Sequence, residues 1–203
     1  MAQQTRARNP RGEGTRLRDE IVDAAISLIE EPGGGASALT LRAVARRAGI
    51  SAPSIYAHFD DLAAIADAVL AQSFDELHAA VAKADAGADD PVDRVIAMAL
   101  AYVEFAWERR ARYAFMFTAE GYSPTAVRSY ELLRQAIADC VAAGRSRSDD
   151  PHLDTWMVWA ALHGAATLEK PARSALLRLG PLDRRRLVAE MVSRLARITE
   201  AGA

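Results

Sequence analysis

Apolar residues in this chain recur at spacings of three and four, and the runs are broken by glycine, proline and short polar stretches. Between Arg16 and Glu31 the stripe is Leu17, Ile21, Ala24, Ala25, Leu28 and Ile29, which predicts a first helix stopped by Pro32, Gly33, Gly34 and Gly35. Thr40 is placed to cap a second helix reaching about Ala48, and a third covers roughly Ala52 to His58. From Asp60 or Asp61 a longer helix to about Ala86 carries Leu62, Ile65, Ala66, Val69, Phe74, Leu77 and Val81 in register. Asp90-Pro91, Ser123-Pro124 and Asp150-Pro151 repeat one device: a capping side chain precedes a proline whose missing N–H does no harm in a first turn. Pro171 closes the helix begun at Pro151, and Gly180-Pro181 precedes a last helix of about Asp183 to Glu200. The pattern predicts an all-α protein of about nine helices.

Composition supports that reading. Ala and Leu are abundant, aromatics are few, and long runs of Val, Ile and Thr are missing. With 203 residues, 51% apolar and 26% charged, the chain can enclose a substantial core and falls among ordinary soluble globular proteins. The formal net charge of −2 says little, but its distribution says more. Residues 1–18 carry five arginines against Glu13, and residues 32–59 carry Arg42, Arg46 and Arg47 with no acid. Residues 60–140, by contrast, hold fourteen acids against seven bases. A basic front suggests an anionic partner; a basic arm without a partner is the other reading. Cys140 is the single cysteine, so no intramolecular disulfide and no multi-cysteine metal site is possible. The polar N-terminus has no signal-peptide pattern, and the longest apolar run, Val95 to Val103, cannot span a bilayer. A cytoplasmic location, without membrane, cofactor or metal, is expected.

The break between the second and third helices is informative. Leu41, Val44 and Ala45 make one apolar face, leaving Arg42, Arg46 and Arg47 outside it. Gly49 can take the left-handed conformation that ends a helix, and Ile50 can then plug the gap between the two helices. Ser51 can accept a hydrogen bond from a free N–H of the next helix, and Pro53 suits its first turn. Ile55 and Phe59 return that helix to the core, leaving Ala52, Pro53, Ser54, Tyr56 and His58 outward. Two helices around a glycine turn, the second with small and polar outward residues, make a helix-turn-helix. A plain helical hairpin does not explain an outward face free of acids over residues 32–59. Ser54 can bond base edges or phosphate, Ala52 and Pro53 can touch thymine methyls, and Tyr56, His58 and Thr40 suit phosphate. Thr40, Arg42, Ser51, Ala52, Pro53, Ser54, Tyr56 and His58 are the candidate contacts to double-stranded DNA.

The stretch TLRAVARRAGISAPSIYAHFDDLAAIADAVL resembles the DNA-binding region of TetR-type bacterial transcriptional regulators. Thr40, Ala45, Ala48, Gly49, Ser51, Tyr56, His58 and Phe59 fall on that family's pattern, and the likeness runs back through the first helix to cover about residues 16–70. It departs at Leu62, where the family often has a phosphate-contacting lysine. Beside Asp60 and Asp61 that contact is expected to be missing, with the N-terminal arginines compensating. WAALHGAATLE, with Trp159, His163, Gly164 and Leu168, is similar to the Trp–His–Gly type of C-terminal domain found in some members.

Three regions follow: a mobile basic arm at 1–15, the helix-turn-helix domain at 16–62, and a ligand-binding and dimerisation domain at 63–203. The helix from Pro151 is apolar nearly all round and must be covered on two sides. Met157, Ala161, Gly164 and Leu168, with Leu187, Met191 and Leu195 of the last helix, are the candidate homodimer surface, and the resemblance implies a four-helix dimer bundle; a monomeric core is the other reading. Met98, Tyr102, Phe105, Tyr113, Phe117, Trp159 and His163 are candidates for lining an effector cavity, with ordinary core as the alternative for each.

The expected function is a ligand-responsive DNA-binding regulator, a repressor that binds a pseudo-palindromic operator as a dimer and is released by a small apolar effector whose identity the sequence does not give. Control by a protein partner is an alternative, and an enzyme or small-molecule carrier is another. Catalysis has no support: there is no glycine-rich phosphate loop, nucleophile elbow or HExxH spacing.

Overall fold

Ile21, Ala25 and Ile29 are fully buried along one face of helix α1, Gly14–Glu30, as the spacing of its apolar residues requires. The structure, a computed structural model, describes residues 14–117, 124–167 and 183–199. Residues 1–13 of the arm expected over 1–15, the cap at Ser123, Leu168, Pro171 and Gly180-Pro181 therefore lie outside the described residues, while Gly14 and Thr15 belong to α1. Two compact units are present, Met1–Leu70 and Ala71–Ala203.

In the first unit, α1 ends where glycine is obligatory. A Cβ on Gly34 would stand 2.4 Å from the Leu28 carbonyl oxygen, so only hydrogen fits there. A 3₁₀ turn, Ala36–Ala38, leads to α2, Leu41–Ala48, whose N-terminus is capped as expected: the Thr40 hydroxyl accepts from the Ala43 N–H at 3.2 Å. Gly49 follows with φ 68° and ψ 30°, the left-handed turn read from the sequence. The Ile50 N–H donates to Ala45 O at 3.0 Å and the Gly49 N–H to Arg46 O at 3.3 Å, which satisfies the last carbonyls of α2.

Helix α3, Ala52–Ile55, is shorter than the expected span to His58. Bonds of the i→i+3 kind, from Tyr56 N–H to Pro53 O and from His58 N–H to Ile55 O, tighten its end into a turn. Ile55 and Phe59 are buried, and the Arg18 guanidinium lies 4.6 Å over the Phe59 ring. Helix α4, Leu62–Asp85, is capped by Asp61, whose carboxylate accepts from the Ala64 N–H at 2.8 Å. Its Ile65 and Val69 are fully buried, and the first unit extends to Leu70.

The second unit is arranged around α5, Pro91–Glu108, capped by Asp90 through the Val92 and Asp93 N–H groups. Arg109 breaks the chain into α6, Arg110–Met116, without a proline or glycine to announce it. Helices α7, Pro124–Ala142, α8, Pro151–Thr167, and α9, Arg184–Leu195, all pack on α5. Val95, Met98, Ala99, Val103 and Ala106 are the buried face they cover. Arg112 is 3% exposed; its Nε donates to Ser73 Oγ and its Nη1 to Glu76 Oε2, each at 2.7 Å, tying α6 to α4. Helix α9 stops at Leu195, short of the expected Glu200, because Arg197 turns left-handed at φ 52° and Ser146 and Ile198 pair as an isolated antiparallel bridge. Nine α-helices are present among the described residues, in line with the all-α expectation.

Gly49→Ala should lower stability by about 1 kcal/mol, because a Cβ disfavours the left-handed turn although the space around it is open. Gly49→Asn should cost less, and urea denaturation of the two variants makes the comparison.

Candidate nucleic-acid interface and ligand cavity

The short α3 is positioned by what it buries. With Ile55 and Phe59 turned inward, Tyr56 is left 58% exposed beside exposed Pro53. Thr40, Arg42, Ser51 and Arg46 are exposed on the same unit, whereas Ala52, Ser54 and His58 are half-buried. All eight candidate DNA contacts are thus at least partly accessible, and no acid lies among residues 32–59. Two details differ from expectation. Ser51 does not cap α3 through its side chain; its Oγ pairs with Ser54 Oγ at 2.7 Å instead. Arg47, though on the outer side of α2, binds the Ser27 hydroxyl and the Glu31 carboxylate of the α1 end, so its charge is already answered. Arg42 and Arg46 are also exposed on α2.

The second unit has a cavity of about 410 Å³ between α4, α5, α7 and α8, with exposed Glu131, His152 and Trp156 at its mouth. Met98, Tyr102, Phe117 and Trp159 of the candidate set line it. Phe105, Tyr113 and His163 do not. Phe105 is buried toward the end of α5, beneath the Arg109 guanidinium 4.9 Å from its ring. Tyr113 stands behind the wall with its hydroxyl 2.7 Å from both Tyr102 Oη and His163 Nδ1. His163 is held there by Tyr113 and by its ring contacts with Phe117 and Trp159. The sequence reading missed Phe74, Leu77 and Val81 of α4, Tyr130 and Leu133 of α7, and Trp156. Their helical spacing marked them only as core, and Tyr130 carried no signal beyond its position on α7.

Burial governs the titratable groups around this cavity. It pushes the Tyr102 hydroxyl up to about 12 and raises Tyr113 further, so both stay protonated. Burial also lowers His163 below its ordinary 6.5, keeping the imidazole neutral at neutral pH. It raises the Cys140 thiol to about 11, which removes it as a nucleophile. For Glu76 burial pulls upward, but hydrogen bonds from Arg112 and Gln72 and the Arg112 charge outweigh it and hold the carboxyl below its ordinary range. Among the described residues no cluster of His, Cys, Asp and Glu is placed to hold a metal ion, and no helix is long and apolar enough to cross a membrane.

The candidate dimer residues form an outer apolar face. On α8, Leu153 is 52%, Trp156 48% and Met157 38% exposed, with Ala161 and Gly164 half-buried nearby. A Cβ built on Gly164 meets nothing within 4 Å. On α9, Val188, Val192 and Ala196 are fully buried, while Leu187, Met191 and Leu195 are half-buried along its flank. Leu168 lies outside the described residues.

Comparison with known proteins agrees with this geometry. Residues 21–69 match the family model described as bacterial regulatory proteins, tetR family, and residues 95–195 match the tetracyclin repressor-like C-terminal domain. A Mycobacterium tuberculosis protein described as an HTH-type transcriptional regulator is 29% identical over 183 residues, covering 88% of this chain and 79% of the relative. A Rhodococcus sp. RHA1 protein of unknown function superposes with a TM-score of 0.74 at 29% identity, over 96% of this chain and 97% of that one. PfmR of Thermus thermophilus, a TetR family transcriptional regulator, shares the fold with a TM-score of 0.66 at 22% identity, over 89% and 98% of the two chains.

Acid should weaken this unit in two separable windows. Between 6.5 and its lowered folded value, His163 takes up a proton in the unfolded chain but not in the folded one, so stability falls as pH drops through that range. Glu76, also depressed, adds its loss only below about 4.5. Urea denaturation from about pH 7.5 to about pH 5.5 should show the first loss, and His163→Asn should flatten it.

Proposed function

Because the chain belongs to the tetR family of bacterial transcriptional regulators, we propose that it is a dimeric repressor of a pseudo-palindromic operator, released by a small, mainly apolar effector. The observation that carries this reading is the outward face of α2 and α3, acid-free and ending in the exposed Tyr56 ring. In this reading Ala52, Pro53 and Ser54 meet base edges, while Thr40, Arg42, Tyr56 and His58 meet phosphate oxygens and set the register. Ser51 supports this by holding the Ser54 hydroxyl in place.

The dimer is proposed to form over Met157, Ala161 and Gly164 of α8 and over Leu187, Met191 and Leu195 of α9. Support comes from the apolar exposure of α8 and from Gly164, which nothing among the described residues requires to be glycine. A close approach by a second copy of α8 supplies that requirement. The effector site is the aromatic cavity, and release follows when the effector binds more tightly to a state whose two recognition helices no longer match successive major grooves.

An electrophoretic mobility assay on the DNA upstream of the protein's own gene tests the reading. A sequence-specific shift that weakens with salt is expected, and its absence would refute operator binding. Tyr56→Ala should weaken that shift by about tenfold with an unchanged melting curve, since the ring is mostly in solvent. Gly164→Leu should leave the monomer folded and break the dimer, read by analytical ultracentrifugation.

A further inference from the structure

The cavity has flat walls. Phe74 and Phe117 in its lining stand edge to face at 5.8 Å, and Trp156 meets Trp159 edge to face at 5.4 Å. Such surfaces reward a ring-shaped occupant, because stacked and edge contacts add to the burial of apolar area. Among the described lining residues there is no lysine or arginine. The one formal charge is the carboxylate of Glu131, already paired with Arg134 at 2.7 Å. An organic acid entering this space would lose hydration beside the Glu131 carboxylate with no lysine or arginine to replace it, and His152, also in the lining, already bonds the Tyr130 hydroxyl at 2.9 Å.

Tyr102 is one of the polar residues of the lining, beside Ser129, Tyr130 and His152, and its hydroxyl heads a hydrogen-bonded line. The indole N–H of Trp159 is directed at the Tyr102 oxygen, Tyr102 Oη lies 2.7 Å from Tyr113 Oη, and Tyr113 Oη lies 2.7 Å from His163 Nδ1. Two proton arrangements satisfy this line. In the first, Tyr102 donates to Tyr113 and Tyr113 donates to His163, whose own proton sits on Nε2. In the second, His163 Nδ1–H donates to Tyr113, Tyr113 donates to Tyr102, and the Tyr102 proton turns into the cavity. Each arrangement holds one proton per hydroxyl and one on the imidazole, so the change is one of tautomer and not of charge. An acceptor oxygen in the cavity selects the second, since it gives the freed Tyr102 proton a partner.

We propose that the cavity takes an uncharged ring compound whose carbonyl or ether oxygen accepts a hydrogen bond from Tyr102, and that it rejects organic acids of the same size. This rests on the reading of the cavity as the effector site, but binding is measured without DNA.

Three two-ring probes separate the possibilities: methyl naphthyl ketone, naphthalene and naphthoate, titrated calorimetrically into the full chain. The ketone should bind at least about tenfold more tightly than naphthoate, and more tightly than naphthalene. Tyr102→Phe should weaken the ketone by roughly five- to tenfold and leave naphthalene unchanged. Glu131→Gln, at an exposed position, should raise naphthoate affinity while sparing the ketone. On binding the ketone, the ring-nitrogen NMR signals that disappear in His163→Asn should move to the Nδ1–H pattern. Equal binding of naphthoate and ketone, equal weakening of ketone and naphthalene by Tyr102→Phe, or no binding of any probe would each overturn the proposal. Ketone binding by a protein that shifts no DNA would refute the regulator reading alone; a specific DNA shift without probe binding would refute only this inference.

Discussion

A helix of four residues has almost no stability of its own, because fixing its backbone costs more than its few hydrogen bonds return. Helix α3 exists because the left-handed Gly49 turn aims it and because Ile55, its last residue, and Phe59, just beyond it, sink into the first unit. Arg18, from α1, covers the Phe59 ring and fixes the far end. Every outward residue of the recognition segment inherits its direction from those anchors. Tyr56 is exposed because the residue before it is buried, and Ser54 is held by Ser51 because the turn brings the two hydroxyls together.

The second unit solves a different problem, enclosing aromatic surface without filling the space completely. Helix α5 is the shared neighbour of α7, α8 and α9, and its buried aliphatic face carries most of the packing. The remaining room is bounded partly by rings, and the Tyr102 and Tyr113 hydroxyls are bonded to one another and on to His163. Leaving those hydroxyls unpaired in an apolar setting would cost about 1–3 kcal/mol each, so the Tyr102–Tyr113–His163 line is what permits tyrosines in this wall. The same line orients His163, while burial keeps its imidazole neutral, on the helix that presents Trp156 and Met157 to solvent.

Element positions and the turn chemistry were legible in the residues alone. Thr40, Asp61 and Asp90 cap helices where their spacing to the following apolar stripe said they should, and Gly49 takes the predicted conformation. These are local effects, set within four or five residues of the chain, and local sequence carries them. The break at Arg109 and the left-handed Arg197 left no such mark, since neither is proline or glycine.

The cavity belongs to the second kind. Spacing marked Phe74, Tyr102, Phe105, Tyr113 and Trp156 alike as apolar or aromatic helix residues, with nothing to separate wall from core. Only the packing of α4, α5, α7 and α8 set Phe74, Tyr102 and Trp156 at the cavity, buried Phe105 under Arg109, and put Tyr113 behind Tyr102. By itself, then, the sequence determined the all-α fold, the helix-turn-helix and its acid-free face, because helix period, caps and charge are short-range properties of the chain. Which ring meets empty space and which meets protein was decided by tertiary structure, because a void is a property of how several distant segments fail to fill the volume between them.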